Sequence, residues 1–169
     1  MTPIDVRPLH PAHRSEIDEI VRSTRVFSEG EVAVALEVLD AGLGGDTGYE
    51  LLGAFDDDRL IGYACYGATP ATDRTYDLYW IAVRPDAQRT GAGSALMVEV
   101  EHRLASRTAR MVVVETSSRE DYAPTREFYR RRGYEEAARL RDFYAAGDDR
   151  VVLSKRMHAA QGPLPAQVL

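Results

Sequence analysis

The chain has 169 residues, 44% of them apolar and 28% charged, which is the balance of a single globular domain with a sizeable core. No segment approaches the roughly 20 apolar residues that span a bilayer, and the lone Cys65 excludes an intrachain disulfide or a cysteine-built metal cluster. The net charge of −6 argues against nucleic acid as a partner, since phosphate neutralisation needs basic clusters.

In chain order, MTPIDVRPLH lacks the charged and apolar regions of a secretory leader, so a reduced, cytoplasmic location without a membrane partner is expected. A strand is predicted at Ile4–Leu9, ended by His10-Pro11. His13 to Ser23 reads as a helix with Ile17, Ile20 and Val21 on one face. Ser28 followed by Glu31 is a capping-box pattern opening a second helix, in which Val32, Leu36 and Leu39 recur until Gly42, Gly44 and Gly45 end it.

The period then shortens. Tyr49–Phe55, the Asp56-Asp57-Asp58 turn and Leu60–Tyr66 predict a hairpin, and Tyr76–Val83 a further strand closed by Arg84-Pro85-Asp86. Gly91-Ala92-Gly93 leads into a helix carrying Leu96, Met97, Val100 and Leu104. Met111–Val114 is an apolar run of the kind buried on both faces. Pro124 to Arg132 is a short helix stopped by Gly133. Glu136–Tyr144 and Arg150–Met157 are strands turning at Gly147-Asp148-Asp149. The pattern predicts one α/β domain over residues 1–158, with Ala159–Leu169 as a tail.

Gln88-Arg89-Thr90-Gly91-Ala92-Gly93 lies between a strand and a helix, where a phosphate cradle belongs. The first helical turn offers unpaired N–H groups and the positive end of the dipole, and glycines let phosphate oxygens approach the backbone. A tight turn before a helix is the alternative. A Walker loop fails because the sole lysine, Lys155, is far away, and the dinucleotide fingerprint fails because position 96 is Leu96.

The segment from Leu78 to Gly93, with a strand ending in Val83, a Pro85 turn and Gln88-Arg89-Thr90-Gly91-Ala92-Gly93, resembles the central motif of the GNAT superfamily of N-acetyltransferases. Phe128-Tyr129-Arg130-Arg131-Arg132-Gly133-Tyr134 resembles that family's second motif, in the same order. The resemblance implies a single mixed, mostly antiparallel sheet of about seven strands flanked by about four helices. It also implies acetyl-CoA as co-substrate, no metal, and a small-molecule or peptide amine as acceptor. Dimers are common in the family.

By resemblance, the strand ending at Val83 splays from its neighbour at a bulge. Backbone groups of Ile81, Ala82 and Val83 then hold the pantetheine arm, and an N–H near Val83 serves the developing oxyanion. The remaining cofactor contacts fall on Gln88, Arg89, Thr90, Gly91, Ala92, Gly93, Ser94, Thr125, Phe128 and Tyr122. Tyr122 is a departure, because many relatives carry Asn there. Tyr129 is the candidate general acid for the leaving thiolate, the alternative being an ordinary packed aromatic. Asp77 and Glu115 are candidate bases, or else solvated strand-end carboxylates.

Tyr79 and Trp80 alternate along their strand, so one is expected in the core and the other in the acceptor cleft. Phe27, Ser28, Glu29 and Glu31 lie in a region that shapes acceptor choice in the family. His10, His13, His102 and His158 show no metal-ligand spacing. Residues 1–60 hold 13 acidic and 5 basic side chains, which leans toward a cationic acceptor. A non-catalytic acyl-CoA-binding module and a transferase of longer acyl chains are the competing readings.

Overall fold

The computed structural model describes residues 4–157, so the predicted tail and His158 lie outside the described residues. Strand β1 (Asp5–Pro8) is followed by helices α1 (Arg14–Ser23) and α2 (Glu29–Leu43). Strands β2 (Glu50–Asp56), β3 (Arg59–Ala68) and β4 (Thr75–Val83) come next, then α3 (Ala92–Ser106). Strand β5 (Met111–Ser117), helix α4 (Ala123–Arg130), and strands β6 (Glu135–Ala145) and β7 (Asp148–Arg156) complete the described chain. The seven strands form one sheet in the order β1-β2-β3-β4-β5-β7-β6. Only the β4–β5 pair is parallel. The mixed, mostly antiparallel sheet expected from the sequence is therefore present, with four helices on its faces.

The pleat sends successive side chains to opposite faces, and β3, offset by one residue at Ile61 opposite Ala54 and Phe55, builds two cores. Ile61, Ala64 and Tyr66 point to one side, where Leu96, Met97, Val100 and Leu104 of α3 and Tyr129 and Tyr134 complete a buried cluster. Leu60, Tyr63 and Cys65 point to the other, against Ile17, Ile20 and Val21 of α1 and Val32, Ala35 and Leu39 of α2. The capping box forms as predicted: the Ser28 hydroxyl accepts from the Glu31 N–H (3.2 Å) and the Glu31 carboxylate accepts from the Ser28 N–H (2.7 Å).

Three differences from the sequence reading have local causes. Strand β5 runs on to Ser117, because β7 pairs with it along that whole length. Within the apolar run, Val112 and Val114 are buried while Met111 and Val113 are only half-buried, so burial is one-sided. Short 3-10 turns at Pro11–His13, Pro85–Ala87 and Glu120–Tyr122 replace expected loop or helix ends.

The two cores depend on buried phenols. Burial pushes Tyr63, Tyr66, Tyr129 and Tyr134 above the ordinary phenol range. A raised native pKa gives stability that is complete below the unfolded value, about 10, and is lost as pH climbs through the native values. The denaturant midpoint should therefore stay level between about pH 7 and 9 and fall steeply above about pH 10. A midpoint that held at about pH 11.5 would contradict this.

Candidate active site

Strands β4 and β5 run side by side only from Thr75–Met111 to Leu78–Val114. Beyond that point β4 stays with β3 as far as Val83, and β5 stays with β7 as far as Ser117. A bulge accompanies the parting. Cys65 pairs with Trp80 and Tyr66 with Leu78, leaving Tyr79 as the extra residue. An extra residue twists its strand and re-aims side chains, and it breaks the alternation assumed from sequence. Tyr79 and Trp80 consequently both face the α1–α2 side, with Tyr79 against Tyr49 (5.3 Å between ring centres) and Trp80 against Phe27 (5.2 Å). The expectation that only one of the two would border the cleft is corrected: both line it.

The parting opens a cleft of about 600 Å³. Ile81, Ala82 and Val83 form one wall, paired to Ala64, Tyr63 and Gly62 on their far side. Their other edge has no strand partner, so alternate N–H and C=O groups of β4 point into the opening. Gln88, Thr125, Tyr129, Glu115 and Tyr122 also line the cleft.

At the glycine turn, Gly91 is the N-cap of α3 with φ +98, a conformation that glycine adopts at little cost. The backbone N–H groups of Ala92, Gly93 and Ser94 have no backbone partner among the described residues, the first ladder bond being Ala95 N–H to Gly91 C=O (2.9 Å). With no side chain capping them either, they form the anion-accepting end of a 15-residue helix. Arg89 and Thr90 are exposed beside it, and the Thr90 hydroxyl donates to Ala87 C=O (2.7 Å). Phe128 lies across the turn, where a side-chain carbon at Gly93 would sit 3.3 Å from its ring. The Arg132 guanidinium stacks on Phe128 (3.6 Å) and donates to the Ser94 hydroxyl and to Phe128 C=O (2.9 Å). Loss of hydration lowers the Arg132 pKa.

Tyr129 reaches the cleft from α4, whose start is fixed by Arg126 donating to the carbonyls of Ser117 (2.7 Å) and Arg119 (2.8 Å). Its ring meets Phe128 and Tyr134 edge-on (5.3 and 5.6 Å). Burial raises its pKa, so the hydroxyl stays protonated as a donor across the physiological range. Among the described residues that hydroxyl has no hydrogen-bond partner.

The two candidate bases are placed differently. Glu115 lines the cleft and is ion-paired with Arg150. Asp77 lies in an adjoining recess of about 180 Å³, which Glu115 and Tyr79 also line, and accepts a hydrogen bond from Thr69 (2.7 Å). Tyr122 spends its hydroxyl on Glu31 (2.9 Å). Arg119 donates to Val26 C=O (3.1 Å) and stacks over Tyr122 (5.1 Å). These contacts tie the segment between α1 and α2 to the segment between β5 and α4.

Arg132, Val34 and Val38 were not anticipated. The family-like aromatic-Tyr-x-x-x-Gly segment contains Arg132, but nothing in a run of three arginines marks which one folds back. Val34 and Val38 lie four apart on α2, and their shared face was visible in the helical period. No described helix is long and apolar enough to cross a membrane. No cluster of three or more metal-ligating side chains occurs among the described residues.

Comparison with known proteins agrees with this geometry. The sequence pattern of the Acetyltransferase (GNAT) family matches residues 15–134. A crystal structure of a GNAT-family protein from Desulfovibrio desulfuricans superposes with a TM-score of 0.86 at 42% identity, covering 91% of this chain and 99% of that one. The ribosomal-protein-S18-alanine N-acetyltransferase of Escherichia coli gives 0.78 at 19% identity, over 96% and 99% of the two chains. The PaiA N-acetyltransferase of Thermoplasma acidophilum, solved with coenzyme A, gives 0.70 at 16% identity, over 92% and 100%. No curated protein matches the sequence. The last two likenesses speak to fold alone, but the matched pattern and the 42% identity with parted strands in place settle the family: the chain belongs to the GNAT acetyltransferases.

Proposed function

We propose that the chain moves the acetyl group of acetyl-CoA to a primary amine by direct attack. One observation carries the reading. A single cleft is walled both by Gln88, next to the glycine turn, and by Phe27 and Trp80 on the opposite layer, with the free edge of β4 between. A long anionic cofactor and an amine can therefore meet at one strand edge.

The residues fit the cofactor. The unpaired first turn of α3 suits its pyrophosphate, and the unpaired edge at Ile81, Ala82 and Val83 suits its amide-bearing arm. Bound there, acetyl-CoA supplies an acetyl group activated as a thioester. The amine nitrogen bonds to the acetyl carbon as the carbon–sulfur bond breaks. An ammonium acceptor sheds two protons, one to solvent and one to the departing sulfur. Tyr129 is suited to supply the proton to sulfur, being protonated and otherwise unengaged. Glu115, on the cleft wall, is the nearer choice for relaying the first proton through water. A covalent route through Cys65 is disfavoured, because burial pushes that thiol up to about 12 and it points toward α1 and α2.

Tyr129→Phe should lower kcat by about 10²-fold, in the range of a lost general acid, with little change in acetyl-CoA affinity. Since burial raises the phenol's pKa, no descending limb from this group should appear between about pH 7 and 9.5. Equal kcat for the two proteins would remove Tyr129 from the mechanism.

Acetyl-CoA at about 100 times its dissociation constant should raise the melting temperature by roughly 5–10 °C. Gly91→Glu should abolish that rise, because it adds an acid and strain at the positive end of α3. A rise that survived the substitution would move the cofactor away from the glycine turn.

A further inference from the structure

The acceptor side of the cleft has a composition that the whole-chain charge conceals. Its wall is made of Phe27, Val34, Val38, Tyr79, Trp80 and Tyr144. Val34 and Tyr144 are 52% and 48% exposed, so apolar surface is presented to incoming molecules rather than packed away. Two carboxylates share this cleft, Glu31 and Glu115. Arg150 neutralises Glu115. Glu31 is hydrogen-bonded only by neutral donors, the Tyr122 hydroxyl (2.9 Å) and the Ser28 N–H (2.7 Å), and makes no contact ion pair among the described residues, although Arg119, stacked over Tyr122, is a neighbouring cation. Several other acids of the N-terminal third are engaged by arginines elsewhere, among them Asp18 and Asp40 with Arg14, Glu19 with Arg84 and Glu50 with Arg107. One carboxylate without a contact ion pair, within an aromatic and branched-aliphatic wall, suits one ammonium on an apolar body. A polycation would leave its other charges against Phe27, Val34 and Trp80 with no counter-ion.

We infer that the acceptor is a primary amine carried on a bulky apolar or aromatic group, with Glu31 receiving its ammonium and the Phe27–Trp80 wall its body. This rests on the proposed acetyl transfer and narrows it to one class. Trp80 adds cation–π attraction and dispersion. The same chemistry has two sources, a free arylalkylamine or the first residue of a peptide, and they differ in whether the amine-bearing carbon also carries a peptide carbonyl.

Thiol release from acetyl-CoA would be followed with 2-phenylethylamine, a peptide beginning with Phe, the same peptide with its amino group blocked, spermidine and kanamycin. The expected result is a kcat/KM for 2-phenylethylamine or the free peptide at least about tenfold above spermidine and kanamycin, with the blocked peptide inert. The better of the two identifies the source. Trp80 is the only tryptophan, so its emission should also change saturably with the preferred amine and not with spermidine. Glu31→Gln removes the charge and keeps a carbonyl oxygen for the Ser28 N–H, while its amide NH2 can donate to the Tyr122 hydroxyl, which then accepts instead of donating. The substitution should raise KM for that amine about tenfold with kcat nearly unchanged and the melting temperature preserved. Turnover of spermidine or kanamycin at or above that of the apolar amines overturns the inference while leaving acetyl transfer standing, as does an unchanged KM in Glu31→Gln. Release with none of the amines, from protein still stabilised by acetyl-CoA, overturns acetyl transfer and this inference with it.

Discussion

Strands β4 and β5 cease to be a parallel pair past Leu78 and Val114, each staying with the neighbour on its other edge. The bulge at Tyr79 turns β4 with β3, and the full-length pairing with β7 holds β5 in place. Unpaired strand edges are ordinarily avoided, since every backbone donor and acceptor wants a partner. Here the two edges diverge and leave a space between them in the middle of the sheet. The rest of the site depends on that parting. The cleft exists because of it, backbone groups of Ile81 to Val83 are available because of it, and both Tyr79 and Trp80 meet the acceptor side because the bulge offsets the pleat.

A second constraint couples the walls of this space. Tyr122 and Glu31 are 91 residues apart in sequence and bonded in the fold. Glu31 also closes the capping box of α2, so one carboxylate fixes the start of a helix and the position of the β5–α4 segment together. Arg119 adds a bond to Val26 from the same segment. Tyr122 occupies the position where the sequence resemblance implied a cofactor contact from Asn. Its hydroxyl is given to Glu31, so the side chain joins α2 to the start of α4 while its ring still lines the cleft. Movement of α2 would be felt at the start of α4, the helix that carries Tyr129.

Much of the fold was legible because its signals are local. Ser28 and Glu31 announce a helix start three residues apart, and the period of α3 identifies Leu96, Met97, Val100 and Leu104 as core. The glycine turn was legible for the same reason, with Gly91 at positive φ where a helix begins. Contacts that depend on strand order were not. Nothing in the sequence places β7 between β5 and β6, so the extension of β5 to Ser117, and with it the position of Glu115, could not be read. A bulge in β4 was implied by the family resemblance, but its place at Tyr79 was not, because a one-residue offset leaves composition unchanged while reversing which side chains share a face. Asp77 and Glu115 looked alike as strand-end acids, yet one lies in a side recess bonded to Thr69 and the other on the cleft wall.

Charge shows how far a whole-chain average is from the field at a site. The acidic excess of the first 60 residues leans toward a cationic acceptor, but the members of a contact ion pair largely cancel each other's field at longer range. After Arg14, Arg22, Arg84 and Arg107 have paired with the acids of this region, the acceptor wall keeps one carboxylate amid apolar surface. The opposite end of the site has the reverse arrangement. Arg132 has no carboxylate within ion-pair distance among the described residues, and it bonds to Ser94 in the first turn of α3, where the helix dipole is already positive. Two like partial charges held together and partly desolvated are unfavourable alone, and an anion placed there relieves both. The glycine turn thus carries a mild electrostatic cost that a bound anion would remove. The wall of Phe27, Val34 and Trp80 carries almost none, so shape and apolar contact dominate its surface instead.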